Sequence, residues 1–162
     1  MNAKAEIKEN TLAIKQLLDG WAFLRDTEVL VGIPKERNAS HGGITNAELL
    51  YIHTNGSPVN GIPARPTVEP GITEPETLPV IQKLLGEGMK QAVTGNISAA
   101  KVSYKKAGIV GENASKAVFG SAKLVPLKPA TVARRKKNSA APLVDTGVLR
   151  NAVTHVIRSK KG

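Results

Sequence analysis

The chain has 162 residues, with 41% apolar, 22% charged and no cysteine. It is long and apolar enough to bury a core without cross-links, and too apolar to stay disordered. The lack of cysteine excludes a disulfide framework, a thiol nucleophile and a zinc–cysteine site. No run of 18 apolar residues is present to span a bilayer, and the first residues lack the apolar core of a signal peptide, so a soluble protein used without export is expected. Lys and Arg number 23 against 13 for Asp and Glu, and the excess is uneven. Residues 1–100 carry nine basic and eleven acidic side chains, net −2, whereas residues 101–162 carry fourteen and two, net +12. Such asymmetry points to a surface near nucleic acid or an acidic protein partner, or to a basic solvated face. Aromatics at 3% argue against stacking on single-stranded bases.

In chain order, Thr11 to Leu24 places Ile14, Leu17, Leu18, Trp21 and Leu24 on one helical stripe. Gly20 weakens that helix by about 1 kcal/mol relative to Ala and puts its end near Asp19. Glu28 to Ile33, closed by Pro34, reads as a buried strand, and Arg37 to Gly43 as a polar loop. Thr45-Asn46-Ala47-Glu48 is a capping box opening a helix with Ala47, Leu50, Tyr51 and Thr54 on one side and a stop at Asn55-Gly56. The stretch from Ser57 to Pro66 is rich in proline, which fixes φ and withholds amide donors, so a stiff extended connector is predicted. Thr73-Glu74-Pro75-Glu76 reads as a second capping box, before a helix with Leu78, Ile81, Leu85, Met89 and Ala92 on one face.

Gly95-Asn96 then turns the chain into a third helix reaching Phe119, with Ala100, Tyr104, Ala107, Gly111, Ala114 and Val118 inward and Lys101, Lys105, Glu112 and Lys116 on the solvated side. Residues 74–120 are thus an α-hairpin. Residues 121–143, with Pro126, Pro129, Pro142 and the run Arg134-Arg135-Lys136-Lys137, read as an extended basic arm with one helical turn after Thr131. The chain closes with a helical turn around Leu149 and a strand at 152–158 that pairs with Glu28–Ile33. The fold class is α+β: one domain over 1–162, a small antiparallel sheet flanked by helices, with connector loops at 34–44 and 56–72.

No constellation carries catalysis. Leu143-Val144-Asp145-Thr146-Gly147 imitates the strand and turn that present an aspartic protease carboxylate. The residues after Gly147 are too few for the remainder of that fold, and the alternative is a local cap by Asp145 and Thr146. His41, His53 and His155 are scattered, and no phosphate-cradling loop or nucleophile elbow occurs. The expectation is a protein without enzymatic activity, metal or cofactor. Lys128 and Arg134, Arg135, Lys136 and Lys137 form the basic cluster, with two readings side by side: sequence-blind phosphate contact, or contact with an adjoining subunit.

Three ordered motifs carry a resemblance. They are Asn46-Ala47-Glu48-Leu49-Leu50-Tyr51-Ile52-His53-Thr54-Asn55-Gly56-Ser57-Pro58; Ile62-Pro63-Ala64-Arg65-Pro66 with Glu69-Pro70-Gly71-Ile72; and Ala141-Pro142-Leu143-Val144-Asp145-Thr146-Gly147-Val148-Leu149-Arg150-Asn151-Ala152-Val153. Together with Val31-Gly32-Ile33-Pro34 they resemble the tail-completion and neck (head–tail joining) proteins of long-tailed bacteriophages, with Thr67 where that family carries an aromatic. The resemblance implies a structural virion protein at the head–tail junction, in a ring of identical subunits, six in many members. The partners it implies are other copies of the chain, head-connector and tail-tube or tail-terminator proteins, and double-stranded DNA passing through the ring, with no membrane. On this reading Ile62, Pro63, Ala64, Arg65 and Pro66 shape a structural turn, with Arg65 held by a carboxylate or carbonyls. Asp145, Thr146 and Gly147 cap a short helix whose Leu149 enters the core. The alternative is a DNA-binding accessory protein without sequence preference.

Overall fold

The computed structural model describes residues 3–135 and 140–160. Its elements in chain order are α1 (Ala3–Asp26), β1 (Thr27–Gly32), β2 (Ser40–His41), β3 (Ile44–Thr45), α2 (Asn46–Asn55), α3 (Val68–Thr73), α4 (Leu78–Val93), α5 (Ile97–Val118), α6 (Pro129–Ala133), α7 (Val148–Ala152) and β4 (Thr154–Ser159). Two 3-10 turns lie at Lys35–Arg37 and Pro58–Asn60. The fold is α+β, as expected. β1 pairs with β4 in a two-stranded sheet. The Lys160 amide donates to the Asp26 carbonyl and Arg158 Nε to Glu28 Oε1, the descending register of antiparallel strands. A second small antiparallel pair, β2 with β3, occupies the loop expected at 34–44.

The chain, read as one domain from its length, divides into two compact units: 1–30 with 79–108 and 156–162, and 31–78 with 109–155. The first has a core of Phe23, Ala92, Ala100 and Tyr104, joined by Leu24, Val29, Leu85, Ile97 and Ile157. The Phe23 and Tyr104 rings meet at 5.3 Å between centroids, tilted by 48°. Small residues let the helices approach: a Cβ on Gly88 would fall 2.6 Å from the Tyr104 ring. The hairpin of α4 and α5 is present, but α4 buries Gly88 and Ala92, while Met89 is exposed.

Two expectations about α1 are corrected. The helix does not stop near Asp19, because Gly20 is a point of contact: a Cβ there would fall 2.1 Å from the Ala92 carbonyl oxygen. Of the apolar stripe, Leu24 joins the core and the rest does not. Gly20 and Phe23 face inward, and Ile14 (58% exposed), Leu17, Leu18 (61%) and Trp21 (61%) lie in solvent on the other side of the helix.

The second unit centres on Phe119, Leu149 and Val153, with Val31, Ile33, Leu49, Leu50, Leu143 and Val144 packed on them. The capping box of α2 is complete: Thr45 Oγ1 accepts from the Glu48 amide, and the Glu48 carboxylate accepts from the Thr45 amide at 2.8 Å. Its inward face carries Leu49 beside Leu50, with Tyr51 exposed, one position round from the predicted side. Gly56 closes the helix at φ +75, and a Cβ there would fall 2.8 Å from the Ala64 amide nitrogen.

The connector at 56–72 is shorter than predicted, because residues 68–73 form α3. Thr73 therefore ends that helix, its hydroxyl donating to the Glu69 carbonyl, instead of capping the next one. α3 packs closely on α5: a Cβ on Gly71 would fall 2.7 Å from the Ala114 carbonyl oxygen. Thr67, where the resembled family carries an aromatic, is fully buried.

Candidate functional site

The structure gathers the Ile62–Pro66 turn and the basic segment into one place. The prolines on either side of Ala64 and Arg65 hold this stretch extended. The Arg65 amide donates to the His53 carbonyl at 2.6 Å, tying the turn to the last part of α2. The Arg65 side chain is 6% exposed; its Nε donates to the Val125 carbonyl at 2.7 Å and its Nη2 to the Pro126 carbonyl at 3.0 Å. Of the two partner types expected for Arg65, carboxylate or carbonyl, it is the carbonyls that hold it.

The segment read as an extended arm is therefore fastened. Leu124 is buried, Gly120 donates its amide to the Pro142 carbonyl, and Arg135 Nη1 donates to the Ala141 and Val144 carbonyls at 2.7 and 3.1 Å. The helical turn starts at Pro129, ahead of Thr131, because proline's fixed φ suits the first helical position and costs no hydrogen bond there. Lys128 stands before α6 and Arg134 after it, both exposed. Lys136 and Lys137 lie outside the described residues.

A cleft of about 910 Å³ opens here. Ile62 and Leu143 supply apolar wall, and His53, Arg65, Lys128 and Arg135 supply the polar groups. Burial, and next the charge of Arg135, lower the pKa of Arg65. Burial, and next the charge of Arg65, lower that of His53. The cleft is a region of positive potential.

The second expected site differs in detail. Leu149 enters the core, but α7 is entered through Gly147 at φ +82, with no side-chain cap from that residue. The Thr146 hydroxyl accepts from the Val148 amide at 3.4 Å, while Asp145, two residues before the cap, is exposed. The Asp145 cap is thus corrected: the glycine's backbone makes the turn. No second carboxylate faces Asp145 among the residues lining the adjacent hollow.

Sequence reasoning placed Glu112 and Lys116 on a solvated face, and here the structure departs furthest from it. Glu112 Oε1 accepts from Lys116 Nζ at 2.6 Å, and Glu112 Oε2 meets Thr154 Oγ1 at 3.0 Å, the His155 amide at 3.2 Å and His155 Nδ1 at 2.6 Å. Burial pushes the Glu112 pKa up; the hydrogen bonds from Lys116, His155 and Thr154 and the charge of Lys116 outweigh it and bring it to about 2. The i,i+4 spacing of Glu112 and Lys116 was readable, but the approach of Glu112 to residues more than forty positions away was not.

Among the described residues no three His, Cys, Asp or Glu side chains gather into a metal-holding group, and no helix is long and apolar enough to cross a membrane. Compared with known proteins, the chain matches no family model, no curated protein and no solved structure.

Proposed function

We propose that this chain is a structural, non-catalytic virion protein that assembles as a ring at the head–tail junction of a long-tailed phage. There it joins head to tail around the passage for double-stranded DNA. The observation that supports the reading is the outward apolar face of α1. Ile14, Leu17, Leu18 and Trp21 stand exposed along one helix, and exposed apolar clusters with an aromatic anchor mark interaction sites on soluble proteins. Copies of the chain meeting through that face account for it. The proposed neighbours are head-connector and tail-tube or tail-terminator proteins. Exposed Lys128 and Arg134 give sequence-blind contact with passing DNA or with the next subunit.

Cryo-electron microscopy of particles from the phage encoding the chain tests this reading. Ring density for the chain at the junction is the expected result, and its absence from mature particles refutes the virion role. The charge imbalance of residues 101–162, fourteen basic against two acidic, favours one alternative: a DNA-binding accessory protein without sequence preference. That reading predicts duplex affinity falling steeply over a salt series in a protein that forms no ring.

A further inference from the structure

Arg65 presents an electrostatic problem. It is a fully charged group, 6% exposed, and among the described residues no carboxylate lies within ion-pair distance of it. Buried charges are as a rule paired, because carbonyl dipoles replace only part of the lost hydration. Of the five N–H donors in a guanidinium, two meet the Val125 and Pro126 carbonyls. Arg135, also a guanidinium bonded to carbonyls, adds a like charge in the same cleft. Lys128 and His53 line it too, and His53 Nδ1 is buried without a hydrogen-bond partner. No acidic residue lines the cleft among the described residues.

A cation-lined cleft of this volume is the size of a small-ligand site. The low exposure of Arg65, 6%, favours a slender anion over the convex rod of duplex DNA. An extended peptide can send one side chain down, with Ile62 and Leu143 against its aliphatic stem and its carboxylate at the guanidinium groups, which bind carboxylates in fork geometry. We propose that this cleft is a receptor for an Asp or Glu side chain on an extended segment of another protein chain, held by Arg65 and Arg135 and flanked by Lys128.

The test is a nitrogen-15 NMR titration of the whole protein, reading Arg65 Nε and the His53 ring, with the capped peptide acetyl-Ala-Glu-Pro-Glu-amide. The expected result is a saturable shift at both residues, at least tenfold weaker for the peptide with glutamine in place of glutamate. Changing Arg65 or Arg135 also loosens the backbone each one holds, so the diagnostic variant is the exposed K128Q. K128Q should weaken binding two- to threefold with an unchanged melting temperature. Equal affinity for the glutamine peptide, or no saturation, overturns the proposal. So does saturation by inorganic phosphate or a DNA duplex where the peptide fails. The titration uses the isolated protein, so its failure leaves the ring reading standing, and absence from particles leaves the cleft standing.

Discussion

Single side chains carry two of the ties that hold the second unit. Arg65 spans the turn and the Val125–Pro126 backbone, so Arg65→Leu removes two charge-assisted hydrogen bonds and strands two carbonyls. A loss of about 3 kcal/mol is expected in denaturant unfolding, with faster amide exchange confined to residues 124–135. Glu112 gives a pH signature of known sign. Its folded pKa of about 2 lies below the ordinary 4.5, so its contribution is complete above pH 4.5 and is lost as pH falls toward 2. Glu112→Gln should cost on the order of 2–3 kcal/mol at pH 7 and flatten stability between pH 4.5 and 2, as measured by unfolding at a series of pH values. The sequence made Arg65 legible as a turn residue because prolines flank it. Glu112 was illegible because its partners Thr154 and His155 come from a distant strand.

At the scale of elements, local patterns located the Thr45–Glu48 box, the α4–α5 hairpin and the two strands β1 and β4, while the caps read at Thr73 and Asp145 failed because the backbone around them folds otherwise. Gly20 misled because a glycine that weakens an isolated helix can be required by a neighbour, and only the fold reveals the neighbour. Gly20→Ala is therefore expected to reverse the usual helix-propensity gain of about 1 kcal/mol. With a Cβ 2.1 Å from the Ala92 carbonyl oxygen, it should destabilise by about 2 kcal/mol, read as a lowered melting temperature. The basic segment misled for the opposite reason. Proline and charge marked it as an arm, while two of its anchors, Arg65 and the Gly120 amide, lie outside it.

For the molecule as a whole, the stripe on α1 is the feature that periodicity located and could not orient. An amphipathic pattern says which residues share a face, but not whether the chain itself or another copy covers it. Leu18→Glu places a charge at the centre of that face without touching Gly20 or Phe23. Light scattering after gel filtration should show the wild type as an oligomer and this variant as a smaller species, with the melting temperature of the variant monomer set by its intact core. An unchanged assembly would remove α1 from the interface.

The sheet has one more consequence, in time and not in space. β1 finds its partner across a separation of 130 residues, from Glu28 to Arg158, and the first unit draws on three separate stretches of chain. During synthesis on a ribosome, β1 therefore emerges long before the strand that covers its edge, with Val29, Leu30 and Val31 unpaired. Contacts so distant in sequence close late and slowly, and an open apolar strand is the segment on which nascent chains aggregate. High-level expression at low temperature should favour recovery of the correctly closed sheet.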